Sequence, residues 1–167
     1  MITVYPNPTQ TIIDTAHKYT HEGRYFSGGF YNASVANGAT IEILIQNVGS
    51  FHVLSTLTAG GESTLQIYEG TTFSVAGSAV TMSNHNRSSA KVFDGTATST
   101  PTVTVAGTQM NGTVYVAAGD KHSSGVEHGF DNEYILAANT NYLIRGTNNS
   151  GGAIKMQLTI EGYQPNL

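Results

Sequence analysis

The sequence predicts an all-β fold, an antiparallel β-sandwich of the jelly-roll kind. Short runs of alternating apolar and polar residues recur along the chain, bounded by Gly, Asn and Pro turn signals. No segment sustains the 3.6-residue apolar period of an amphipathic helix, and strong helix formers are scarce. Eight or more short strands at this spacing indicate a sandwich or barrel, and a jelly roll is the closed solution that suits this length. An immunoglobulin-like sandwich is the rival, but its Cys and Trp core is missing: the chain has no Cys and no Trp.

Residues 1 to 20 read differently from the rest. They hold Pro6 and Pro8 and only brief apolar stretches, Met1–Tyr5 and Thr11-Ile12-Ile13. We expect an N-terminal arm over 1–20 and one sandwich domain over 21–167. Disordered tails are charge-rich, whereas this segment is not, so the arm is expected to dock on a neighbouring subunit. Strands begin near residue 24. Thr40–Gln46 places Ile41, Ile43 and Ile45 on one face. Phe51–Thr58 follows, and Gly60-Gly61 predicts a hairpin turn into Thr64–Tyr68. Ala79–Met82 and Pro101–Val105 are weaker strands, and Thr113–Ala117 is a clearer one. Glu133–Leu136 and Thr140–Thr147 are expected to pair across residues 137–139. The strand from Ala153 to Ile160 has the cleanest alternation, with Ile154, Met156, Leu158 and Ile160 on one face. Residues 84–100 and 118–132 read as two long irregular stretches, which in a compact domain usually carry function.

Composition narrows the function classes. Only 11% of residues are charged, against about 25% in ordinary soluble domains. A surface of hydroxyls, amides and backbone suits packing against another protein, which points to an assembly subunit. Formal net charge is −4 and no basic stripe exists, so nucleic-acid binding is not expected. No apolar run reaches the ~18 residues of a membrane helix, and the start has neither a basic nor an apolar leader region. The chain reads as a soluble protein made inside the cell, with no membrane partner. The absence of Cys excludes disulfides and thiolate metal sites.

Catalytic and metal patterns are thin. His17 and His21 lie four apart, which a helix would turn into a metal-binding pair, but the flanking sequence supports a helix weakly and no HExxH pattern follows. His122, Glu127, His128 and Asp131 offer metal-binding residue types on one loop without rigid spacing. There is no GxSxG elbow and no phosphate loop. Glu42, Glu62, Glu69 and Glu133 are the acids that a glycosidase-like pair would draw on. We expect no enzyme, no metal and no cofactor, with removal of divalent ions leaving stability unchanged. Asn-x-Ser/Thr triplets at Asn32, Asn86, Asn111 and Asn148 follow from composition. Tyr25-Phe26 and Phe30-Tyr31 flank Gly28-Gly29; they fill core strands or form a subunit contact, where Tyr and Arg are enriched. Arg24, Arg87 and Arg145 are each expected to hold a fixed partner.

Several segments, in order, carry a resemblance: His21-Glu22-Gly23-Arg24-Tyr25-Phe26, then Tyr68-Glu69-Gly70-Thr71 with Gly77 and Val80, then Asn84–Ser89, then Glu133–Gly151. Their order and spacing over residues 17–163 resemble the head decoration, or capsid cement, proteins of tailed bacteriophages. Such proteins often close with an aromatic-acidic strand tail, whereas this chain reads Glu161-Gly162-Tyr163-Gln164-Pro165. The resemblance implies a jelly-roll subunit, a homotrimer, that binds the major capsid protein on the outside of a virion made in the host cytoplasm. The residues expected at the capsid or subunit interface are Ile12, Ile13, His17, His21, Arg24, Tyr25 and Arg87. The rival reading is a receptor- or glycan-binding head or tail appendage.

Overall fold

The computed structural model describes residues 14–47, 49–117, 124–126 and 133–167. One short helix, α1 (Thr15–His21), precedes the strands β1 (Tyr25–Val35), β2 (Thr40–Asn47), β3 (Phe51–Ala59) and β4 (Ser63–Glu69). Then come β5 (Thr72–Val75), β6 (Ser78–Val80), β7 (Ser83–Asn84), β8 (Gly95–Ser99), β9 (Thr102–Val105), β10 (Thr108–Gln109) and β11 (Val114–Val116). β12 (Ser124–Val126), β13 (Tyr134–Leu136), β14 (Thr140–Asn148) and β15 (Ile154–Tyr163) complete the chain.

Two antiparallel sheets pack face to face. The first has the order β12-β3-β15-β1-β7, with β13 on the same edge of β3 as β12. The second has the order β10-β4-β14-β2-β8-β6, with β11 beside β10 along β4. Long strands alternate between sheets: β1 and β3 lie in the first, β2 and β4 in the second, β14 in the second and β15 in the first. The last strand therefore sits between the first and third, with Gly28 opposite Ile160 on one side and Leu57 opposite Leu158 on the other.

The alternating residues named from sequence in β2 and β15 build the core together with alternating residues of β3, β4 and β14. Ile41, Ile43 and Ile45 of β2, Leu65 and Ile67 of β4, and Tyr142 and Ile144 of β14 face Met156, Leu158 and Ile160 of β15 and Leu57 and Ala59 of β3. Each of these is at most 1% exposed. Burying such side chains contributes roughly 1.5–3 kcal/mol apiece, the main force holding the two sheets together. Asn148 is buried among them, its amide donating to the Val35 and Gly152 carbonyls at 2.8 and 2.7 Å.

Two expected hairpins are corrected. Gly60-Gly61 does not close a hairpin: β3 belongs to the first sheet and β4 to the second, so the glycines turn a corner between layers. Gly61 suits that corner because a Cβ there would meet the Ser150 Cβ at 2.8 Å. Likewise β13 pairs with β3, not with β14, which lies between β2 and β4. In both cases the apolar residues of consecutive strands face each other across the core instead of lying side by side. Residues 84–100 are also less irregular than expected, since β8 pairs with β2 and β6 inside or beside that stretch.

One element lies within the segment expected as an arm, whose residues 1–13 are outside the described residues. Residues 15–21 form α1 despite weak propensity. Asp14 caps it by accepting from the His17 amide at 3.3 Å, and Gly23 ends it with φ +66°. A Cβ at Gly23 would lie 2.1 Å from the Ser89 hydroxyl oxygen.

Candidate interaction surfaces

The first surface gathers α1, the chain terminus and the loop after β7. Tyr19 stacks on Tyr163 with ring centroids 4.2 Å apart and planes 10° apart. Tyr163 stacks in turn on His52, at 4.4 Å and 21°. His52 Nδ1 is in very close contact with the Glu133 carboxylate. Burial pushes the Tyr163 phenol up, and its hydrogen bond to Glu133 pushes it further. Three rings and one carboxylate thus staple the helix to the end of the paired interior strands β15 and β3 of the first sheet. Isolated helices shorter than about 12 residues are marginal in water, so α1 depends on this contact.

Arg24 follows the helix. Its Nη1 donates to the Pro165 carbonyl at 2.5 Å and lies 3.5 Å from Glu22. The Arg24 carbonyl accepts from the Gln164 amide at 3.0 Å. Gln164 exchanges hydrogen bonds with the Asp94 backbone, and Lys91 Nζ donates to the Leu167 carbonyl at 3.0 Å. The Asn84 amide donates to the Gly23 and Lys91 carbonyls, and the Asn86 amide to the His21 carbonyl. His21–Phe26 and Asn84–Ser89, joined by bonds between residues 61 and 65 apart in sequence, are therefore one bonded unit.

The expected interface residues fall in different places. Ile12 and Ile13 lie outside the described residues, as does the group His122, Glu127, His128 and Asp131. His17 and His21 share the exposed face of α1. Arg24 is tied to its own chain. Tyr25 is 6% exposed but lies outside the core cluster, on the same sheet face as its strand partner Tyr163 and beside the His85 ring at 4.7 Å: its phenol, pushed up to about 12 by burial and then by Glu161, is part of the chain's own packing. Phe26 is fully buried, whereas Tyr31 is 53% exposed. Arg87 is exposed, its Nη1 3.5 Å from the Asn84 carbonyl. Arg145 has the fixed partner expected of it, Glu42, at 2.6 Å across β14 and β2. Of the other acids, Glu69 accepts from the Tyr142 hydroxyl at 2.8 Å, and burial together with that bond raises the Tyr142 phenol.

The second surface was not visible as a site in the sequence. β5 and β9 form a two-stranded ribbon, and among the described residues no third strand joins it. Thr72, Phe73, Ser74 and Val75 face Thr102, Val103, Thr104 and Val105, so the ribbon carries no charge. Val75 and Val105 are 58% and 60% exposed. The Thr72 and Thr104 hydroxyls bond each other at 2.7 Å, and the Thr71 hydroxyl ties the base to the Ala106 carbonyl at 2.6 Å. Unpaired strand edges are templates for another chain, and natural proteins usually guard them with charge. This ribbon has no such guard.

A third feature is a groove of about 390 Å³ beside β3 and β15, lined by Tyr31, Thr58, Gly60, Lys155, Met156 and Gln157. Compared with known proteins, the chain matches no family model, no curated protein and no solved structure.

Proposed function

We propose that this chain is a non-enzymatic structural protein of a phage particle, a jelly-roll subunit that assembles as a homotrimer and seats on the outer surface of the capsid. The β5–β9 ribbon carries the reading. An uncharged pair of strands with exposed Val75 and Val105 is stable only marginally by itself and gains most from a protein partner. The strand order supports the fold part of the reading. The last strand lies between the first and third and the next-to-last between the second and fourth, an order that favours two Greek keys wound into a jelly roll over other all-β sandwiches. The low charge supports it too, since a contact made of hydroxyls and methyls depends little on salt.

The test is co-sedimentation of the purified chain with empty shells assembled from the major capsid protein of the same source, at low and high salt. The expected result is saturable binding that changes little with salt and is lost in the Val75→Glu, Val105→Glu double variant. Binding by that variant equal to the parent's would remove the ribbon from the interface. No binding to shells at all would overturn the cement reading. The groove beside Tyr31 favours a second reading, a glycan-binding appendage, because an exposed aromatic ring beside amide and hydroxyl groups suits a sugar. Binding on a glycan array without shell binding would put that reading first.

A further inference from the structure

We propose that His17 and His21 form a two-histidine chelate for a late first-row divalent metal ion, with Cu²⁺ and Ni²⁺ ahead of Zn²⁺. Four residues apart on α1, the two side chains stand one above the other on the same face. Their Nε2 atoms converge to 2.9 Å, with ring centroids 4.5 Å apart and planes 72° apart. For metal–nitrogen bonds of about 2.0–2.1 Å, a separation of 2.9 Å subtends about 90° at the metal. That is the angle between neighbouring ligands in tetragonal or octahedral coordination, the geometry that Cu²⁺ and Ni²⁺ favour. A tetrahedral Zn²⁺ needs the nitrogens farther apart.

The rings are held for this role from the opposite side of the helix. Tyr19 fixes the inner face on Tyr163, and the Thr20 hydroxyl bonds the Ala16 carbonyl at 2.9 Å, so the outer face presents both imidazoles to solvent. Without metal, one Nε2–H donates to the other Nε2; to ligate through both Nε2 atoms the donor ring moves its proton to Nδ1, so that each ring offers an Nε2 lone pair and keeps an Nδ1–H. Glu22 is engaged by Lys18 at 3.9 Å and Arg24 at 3.5 Å. Among the described residues no third His, Cys, Asp or Glu joins the pair. Water fills the remaining positions, so occupancy follows free metal in the micromolar range. When filled, the site cross-links one turn of a seven-residue helix and stabilises α1 by mass action.

The experiment titrates the full chain with Cu²⁺ alone, following histidine ring signals by NMR, and with Ni²⁺ alone, by calorimetry. Paramagnetic broadening is expected first at His17 and His21. The His17→Ala and His21→Ala variants, both at exposed positions, are each expected to bind Ni²⁺ at least about tenfold more weakly. Amide exchange at residues 18–22 is expected to slow in the Ni²⁺-loaded parent. Broadening that begins at another histidine, or variants that bind Ni²⁺ within about twofold of the parent, would overturn the site.

Discussion

Replacing Tyr19 by Ala tests whether α1 belongs to the sandwich or to a separable arm. Tyr19 is half-buried, and its ring lies flat on Tyr163, which is itself backed by His52. An aromatic side chain buries about 150–250 Å², so half of that at ~25 cal/mol/Å² is roughly 2–3 kcal/mol, with ~0.5–1.5 more from the stack. The global loss is smaller. Once the helix detaches, its seven residues regain backbone entropy of about 1–2 kcal/mol each, so the cost is capped at the net free energy of docking the helix. We expect a loss of about 1–2 kcal/mol in urea unfolding, equivalent to roughly 2–8 °C in Tm. Amide protection at Lys18, Glu22 and Gly23 is expected to vanish while that of β15 persists. Truncation should behave in step: removing residues 1–20, which takes away Tyr19, is expected to lower stability at least as much as Tyr19→Ala. Protected helix amides and a change below about 0.3 kcal/mol in Tyr19→Ala would refute the staple.

Three other outcomes follow from the packing. Asn148→Ala leaves the Val35 and Gly152 carbonyls and the Ser150 amide without their side-chain partner, and is expected to cost about 2–4 kcal/mol by urea denaturation. The Glu42–Arg145 pair is part-exposed, so a double-mutant cycle with Glu42→Gln and Arg145→Met is expected to give a coupling of only about 0.5–1 kcal/mol. The raised phenol of Tyr25 makes stability fall with alkali. The unfolded chain loses this proton near pH 10 and the folded chain only near 12, so the contribution is complete below pH 10 and lost as pH climbs to 12. The Tyr25→Phe variant, followed by urea midpoints from pH 8 to 12, should show a shallower decline than the parent.

What could be read in the sequence was whatever repeats at short range. The alternation in Ile41–Ile45 and in Ile154–Ile160 has period two because one face of each strand meets the core, and those faces are the buried ones. The burial of Phe26 was within reach of the same reasoning. Pairing was not. Local signals say that a chain turns at Gly60-Gly61 but not whether it returns in the same sheet or crosses to the other, because both routes satisfy the same apolar pattern. Among the strands that went unread, β8 is a Thr- and Ser-rich stretch with little apolar periodicity, and β5 alternates over only two apolar residues, Phe73 and Val75. They exist because a neighbouring strand, β9 or β2, offers a ladder.

The sites were harder still, for a reason that separates the two surfaces. The stack Tyr19–Tyr163–His52 joins residues from the two ends of the chain and from β3, so no window of sequence contains it. The helix it supports runs against local propensity, which is why His17 and His21 read as a poor metal pair until tertiary contacts form the turn between them. The ribbon differs: its segments, Thr72–Val75 and Thr102–Val105, were in plain view, and what hid them was the lack of any catalytic residue type. Charge was the signal that mattered there, through its absence. A strand pair with exposed Val75 and Val105 and no Lys, Glu or Pro on its paired residues lacks the charged and proline guards against edge association, and only its short length and two register shifts stand in their place. The composition that sets this chain apart, 11% charged, is therefore most meaningful at one place on the molecule, the place where we expect a partner to add its own backbone.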